Sequence, residues 1–412
     1  QAEWIENSTT TRSDKDGYWE KEIATTRAGG PYTVSISSEK ETKALKNILL
    51  GEVWICAGQS NMSMPVRGFV SQPIEGALEA IVDSENHSNI RMFTADRTIA
   101  ETRQTDVKGT WQCASIGTTG SFSAIGYFFA YELQQVLRVP IGMINLSWGG
   151  SNAQAWMSND LLKTFPQIDL SKIDMKSKSP QRIPTALYNG MFYPVAKYNA
   201  KGIIWYQGEN NINDYQLYAH LFPAMVNEWR TTMGRGDIPF YYVQIAPYKY
   251  DGEDKTSSAY LREVQLRSQY LIPNSGMVTT GDLGNKLLIH ASQKKEISKR
   301  LSYWALAKTY AFSRLPHAAP ILRKKEVSGN RLILTFDNAD SGMVMKENST
   351  QYFYVAGKDG VYHPAKASVQ NNDTGKVEVW SEQVSAPENV RYGFQNYFES
   401  TLFNNYMIPA SP

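Results

Sequence analysis

Five short apolar runs, at residues 53–57, 141–146, 202–206, 240–245 and 276–280, constrain this chain more than any other feature. Runs such as Val53-Trp54-Ile55-Cys56-Ala57 do not alternate between polar and apolar residues. Strands of that kind are buried on both faces, the condition of a parallel sheet covered by helices. The segments between them, at 123–137, 215–232, 257–271 and 292–313, carry helical patterns, and Pro316 and Pro320 close the region. On either side the rhythm changes. Residues 28–36 read as a turn entering an alternating strand, and 331–336, 351–355 and 376–380 alternate again between Gly/Asn/Asp turns. The expected organisation is a β-rich N-terminal segment over 1–50, an α/β domain over 51–315 and a β-rich, sandwich-like C-terminal domain over 316–412.

Composition removes several classes of function. Forty-two basic residues against forty acidic ones leave a net charge of +2, and Arg323-Lys324-Lys325 is the one basic cluster, so no nucleic-acid partner is expected. No apolar stretch reaches the ~18 residues that a membrane span needs. Ten Trp and twenty-four Tyr suit a sugar-stacking surface but equally suit β-rich cores. Cys56 and Cys113 are the only cysteines and lie in apolar settings without a CxxC pattern, which argues against zinc; no metal or other cofactor is expected. A disulfide between them stays open. The chain starts at Gln1-Ala2-Glu3, without Met or a signal peptide, and a trimmed secreted or periplasmic protein is the expectation.

Four of the strands end in polar turns that carry glycine: Gly58-Gln59-Ser60-Asn61, Ser147-Trp148-Gly149-Gly150-Ser151, Gln207-Gly208-Glu209-Asn210, and Gly281 to His290. In an open α/β sheet the carboxyl ends of strands converge on one crevice, so these distant turns can share a site. Acyl transfer needs a nucleophile, a base, a group to orient the base and donors for an oxyanion. Ser60 is the candidate nucleophile, since a turn after a strand exposes its hydroxyl; the alternative is a serine that caps the next helix. His290 is the candidate base, because His87, His220, His317 and His363 have poorer settings. Gly149 and Gly150 can bring a backbone N–H close to an oxyanion, and the Gln207 side chain can add a donor.

These segments resemble the SGNH-type esterases, and within them the sialate O-acetylesterase and acetylxylan esterase group. The likeness rests on residues 53–62, on Trp148-Gly149-Gly150-Ser151 followed by Ala155-Trp156, on Leu187-Tyr188-Asn189-Gly190-Met191 and on residues 201–210. It implies a three-layer α/β/α parallel sheet with smaller β-rich N- and C-terminal parts. It also implies Ser60 as nucleophile, His290 as base, and oxyanion donors from the Ser60 amide, Gly149 (or Gly150) and Gln207 (or Asn210), with no metal. Members of the group place an aspartate two or three residues before the histidine, where this chain has Leu288 and Leu287. Glu209 is therefore the first candidate to orient His290 and Asp282 the second; a Ser–His dyad is the third possibility.

The expected function is serine-dependent hydrolysis of O-acetyl esters on carbohydrates, with 9-O-acetylated sialic acid favoured as substrate. Acetylated xylan or another plant glycan is the alternative, and so is a catalytically impaired carbohydrate-binding protein. A sialic acid carboxylate calls for an arginine near the site, for which Arg182 and Arg262 are the candidates.

Overall fold

The computed structural model describes residues 1–346, 350–370 and 375–412. Strands β1 (Gly29–Ser37) and β2 (Thr42–Leu50) pair antiparallel as a hairpin that leads into β3 (Glu52–Gly58). The chain continues through α1 (Ser60–Ser63), α2 (Ala77–Asp83), β4 (Ile90–Thr94), β5 (Trp111–Cys113), α3 (Ala124–Leu137), β6 (Ile141–Ser147) and α4 (Asn159–Leu162). It then forms β7 (Gly202–Tyr206), α5 (Tyr215–Met233), β8 (Phe240–Val243), α6 (Ser257–Ser268), β9 (Ser275–Val278) and α7 (Lys294–Trp304).

Strands β3 to β9 make one sheet in the order β5-β4-β6-β3-β7-β8-β9, parallel throughout except for β5. From β3 the chain builds one half of the sheet through β4 and β6, then crosses to the other half through β7. That reversal leaves a crevice outside the carboxyl end of β3, the place where open α/β sheets bind ligands.

The apolar run of β3 explains its central position. Trp54 and Cys56 point into a core shared with α3 and α7, while Ile55 and Ala57 point into a second core with Trp156 and Trp229 on the opposite face. Trp54 has no exposure and meets Phe129 edge-on at 5.1 Å and Tyr241 in a stack at 5.9 Å. Pairs of this kind add ~0.5–1.5 kcal/mol beyond the area they bury. Ser123 caps α3: its Oγ accepts from Gly126 N at 3.1 Å and donates to Met62 O at 2.6 Å, which ties that helix to the turn carrying Ser60.

The five expected strands and four expected helices are present, with shifted ends. Strand β8 stops at Val243 because Ile245 N donates to the Gln265 side chain at 2.9 Å instead of a neighbouring strand. Helix α7 ends at Trp304 and passes into a π-helical turn, Ala305–Thr309. Two strands of the central sheet were not expected, β4 and β5. Arg91 interrupts the apolar run of β4, but its side chain turns outward to donate to Asn47 Oδ1 at 3.0 Å, while Ile90 and Met92 stay buried.

Among the described residues beyond 320 the strands form three small antiparallel sheets around one core that includes Leu332, Leu334, Phe353, Val355, Val377 and Leu402. This part is fastened to the α/β part. Ser400 N donates to Gly281 O at 3.0 Å and Thr279 Oγ1 to Pro409 O at 3.0 Å, so it braces the root of the loop that carries His290. Cys56 and Cys113 are both free thiols. Among the described residues no helix is long and apolar enough to cross a membrane.

Candidate active site

The turn after β3 is built by contacts that few residues could make. Gly58 has φ +139°, and a Cβ there would lie 2.2 Å from Tyr206 O, so a side chain is excluded by the neighbouring strand. Gln59 N donates to Tyr206 O at 3.0 Å, and Trp148 N donates to Gly58 O at 3.0 Å. The turn is thereby pinned to the ends of β7 and β6. Ser60, half-buried, opens α1, where the first amides of a helix have no acceptor within the helix.

Gly149 lies directly against this serine. A Cβ at position 149 would be 3.4 Å from Ser60 Cβ and 3.6 Å from its Cα. The next residue, Gly150, points its carbonyl the other way, where it accepts from Asn210 Nδ2 and from Arg182 Nε at 3.2 Å. Gly149 is the glycine whose backbone borders Ser60, and Gly150 instead anchors Asn210. Arg182 also donates to Asn210 Oδ1 at 3.1 Å, which fixes the orientation of that amide.

Gln207 corrects an expectation. It is fully buried and its Nε2 donates to Asn211 Oδ1 at 2.8 Å and Ser151 O at 3.3 Å. Both amide protons are spent inside the protein, so Gln207 has no donor to offer an oxyanion. Asn210, the alternative in the same turn, sits at the Gly150 carbonyl. Gln59 holds the turn in register, since its Oε1 accepts from Gly208 N at 3.2 Å and Asn210 N at 3.4 Å.

His290 reaches the same crevice through the loop after β9. Its neighbour Ile289 gives its carbonyl to Asn61 Nδ2 at 3.2 Å, and Asn61 follows Ser60. One hydrogen bond, between residues 228 positions apart, therefore ties the two segments that carry the hydroxyl and the imidazole. The His290 Nδ1 lies 2.6 Å from Gln72 Oε1; because an amide oxygen only accepts, Nδ1 carries the proton and Nε2 keeps its lone pair. Phe69 packs edge-on to the ring at 5.2 Å. Phe69 and Gln72 end one tight turn, exchanging backbone hydrogen bonds at 3.1 and 3.0 Å. Burial first, and then the Lys294 ammonium, push the imidazole down to about 4.

Neither expected carboxylate orients His290. Glu209 Oε1 accepts from Asn61 Nδ2 at 2.6 Å, and its Oε2 is closed off from solvent without a partner among the described residues. Burial raises its pKa, against the pull of Asn61 and Lys294. Asp282 is taken by Arg300 in a two-pronged ion pair, at 2.8 and 2.7 Å. Gln72, which the sequence reading missed, stands where the missing acid would be. Arg262 is also structural: it is fully buried, donates to Ser258 Oγ at 3.1 Å and to Gln395 O, and lies over the Phe398 ring. Arg182, by contrast, is exposed at the rim of the site. The other four histidines lie elsewhere, His87 between Gln134 and Asp83, His220 exposed on α5, His317 on Leu315 O and His363 on Gln383. Among the described residues no group of three or more His, Cys, Asp or Glu could hold a metal ion.

Comparison with known proteins identifies the family. Residues 50–306 match the family described as carbohydrate esterase, sialic acid-specific acetylesterase. The sialate O-acetylesterase of Rattus norvegicus is 29% identical over 406 residues, covering 84% of this chain and 74% of that protein. The sialate O-acetylesterase of Homo sapiens is 28% identical over 350 residues, covering 78% and 66%. A solved carbohydrate acetylesterase from Xanthomonas citri matches with a TM-score of 0.87 at 32% identity, covering 97% of this chain and 88% of that one.

Proposed function

The chain belongs to the carbohydrate esterase, sialic acid-specific acetylesterase family and is a carbohydrate O-acetylesterase; we propose that Ser60 is its nucleophile and His290 its general base. Ser60 Oγ attacks the acetyl carbonyl while His290 Nε2 takes the hydroxyl proton. The negative charge that gathers on the carbonyl oxygen is met by the Ser60 and Gly149 amides and by Asn210 Nδ2. Collapse of the tetrahedral intermediate breaks the bond to the sugar oxygen, which leaves with the proton from His290. Water, deprotonated by His290, then attacks the acetyl-enzyme, and acetate departs as Ser60 recovers its proton.

The observation that carries this reading is the hydrogen bond from Asn61 to Ile289 O, which brings the Ser60 turn and the His290 loop to one crevice with Gly149 against the serine. Release of acetate from an O-acetylated sugar tests it: Ser60→Ala should be inactive, and activity equal to wild type rules the assignment out.

For the substrate, O-acetylated sialic acid is the reading we favour. Arg182 supports it, as an exposed guanidinium bonded to Gly150 O and Asn210 Oδ1, beside the proposed oxyanion donors, where a substrate carboxylate could be met. An acetylated xylose unit carries no carboxylate of its own. Side-by-side hydrolysis of the two substrate types decides, and loss of preference for the sialic acid ester in Arg182→Gln identifies the reader. We further propose that the enzyme works outside the cytoplasm, secreted or periplasmic, and cell fractionation checks it.

A further inference from the structure

One buried charge has no part in the steps above. Lys294 opens α7 with no exposure, and its Nζ donates to Asn61 Oδ1 while lying 5.3 Å from the centroid of the Tyr206 ring. Burying an ammonium costs several kcal/mol, so its position calls for a reason. Its partner Asn61 donates in turn to Glu209 Oε1 at 2.6 Å and to Ile289 O at 3.2 Å. Each member of this cluster adjoins a residue of the proposed machinery: Asn61 follows Ser60, Ile289 precedes His290, and Glu209 precedes Asn210.

We propose that Lys294 is a positioning residue for ester hydrolysis: through Asn61 its buried ammonium clamps the Ser60 turn to the His290 loop, and it opposes a second positive charge on the resting imidazole. The inference rests on Ser60 and His290 as nucleophile and base. The groups around the ring are few. Gln72 and Phe69 face it from the 69–72 turn and are neutral; Asn61 and Glu209 lie on the side of the Ser60 turn. Glu75 is bonded to Ser292 Oγ at 2.8 Å. Lys294 is the cation in this set, and Glu209 offsets part of its charge. Consistent with that arrangement, burial and Lys294 together depress the imidazole, while Lys294 is itself held down by burial against the pull of Glu209.

The sign follows from the role of a base. A protonated imidazole cannot take the Ser60 proton, so the acid limb of the kcat/KM–pH profile marks protonation of His290. Without the ammonium nearby, that limb moves upward toward the ordinary histidine value of roughly 6.5.

The test is kcat/KM against pH for a soluble aryl acetate with wild type, Lys294→Gln, Lys294→Met and Lys294→Arg. Glutamine can still donate to Asn61 but carries no charge. We expect its acid limb to rise by on the order of one pH unit, a tenfold change in proton affinity. Lys294→Met should show the same shift together with a lower kcat from loss of the clamp, and Lys294→Arg should keep the limb of wild type. If Lys294→Met does not fold, Lys294→Gln carries the test alone. An unmoved acid limb in Lys294→Gln, with activity reduced evenly across the pH range, overturns the proposal and leaves Lys294 a structural residue. Wild-type activity no greater than that of Ser60→Ala would instead defeat the underlying reading.

Discussion

Replacing Gln72 by leucine removes the acceptor from His290 Nδ1 while nearly keeping the volume of the side chain. The bond is short, 2.6 Å, and it fixes both the tautomer and the rotation of the ring. A net hydrogen bond of this kind is worth about 1 kcal/mol. Once it is gone, the neutral ring divides its proton between two nitrogens and turns more freely against Phe69, at a further cost of roughly 1 kcal/mol or slightly more. About 2 kcal/mol together corresponds to a fall in kcat/KM of roughly 30-fold, at ~1.4 kcal/mol per decade. That is far below the ~10⁴-fold loss when the aspartate of a Ser-His-Asp triad becomes an amide, because Gln72 orients the ring without adding negative charge. The assay is kcat/KM for a soluble aryl acetate, with circular dichroism to show that the fold is kept. Gln72→Glu is the informative companion: a carboxylate beside Nδ1 stabilises the imidazolium, so the acid limb should move to higher pH. Activity of Gln72→Leu within twofold of wild type would refute the orienting role. A loss as large as that of Ser60→Ala would refute the magnitude.

Three further outcomes are expected. In Gly149→Ala the new methyl meets Ser60 Cβ at 3.4 Å and Ser63 Oγ at 3.8 Å, ordinary contacts that the fold accepts, but it fills the space beside the serine. The melting temperature should hold while kcat/KM falls by about 10²-fold, the scale of losing one oxyanion donor. Asp282→Asn removes the two-pronged partner of Arg300, in a setting where the two side chains are only 5% and 14% exposed, and leaves the guanidinium with Glu296 alone, at 3.3 Å. Because Glu296 remains, urea unfolding should show a loss toward the low end of the range for a broken buried pair, about 3 kcal/mol, whereas the folded fraction keeps its kcat, since Asp282 does not touch His290. Burial pushes the Cys56 thiol up to about 12, and Cys113 is partly exposed, so a thiol reagent should label Cys113 in the native protein and reach Cys56 only after denaturation.

Much of the scaffold was legible from neighbours along the chain. An apolar run such as residues 202–206 can only be a strand buried on both faces, and it forms β7 with those bounds. Gly58 before Gln59-Ser60 signalled the turn, whereas the exclusion of a side chain there is set by Tyr206 O, 2.2 Å from where a Cβ would lie. Strand β4 escaped because Arg91 breaks its apolar pattern, and only the hairpin at Asn47 explains where that guanidinium goes. The crevice itself was foreseen from the turns that end the strands, as those depend on strand direction alone.

What the sequence by itself determined is the order of elements and the identity of the turns at the sheet's carboxyl edge, because backbone conformation and burial pattern are set by residues a few positions apart. Tertiary structure alone decided the partners of each polar group in the crevice. Glu209 and, after it, Asp282 are the candidates for His290 in the chain, yet one is bonded to Asn61 and the other to Arg300. Gln72, 218 positions from His290, holds the imidazole instead. A hydrogen bond is chosen by a few tenths of an ångström and by angle, quantities that exist only after distant segments have packed.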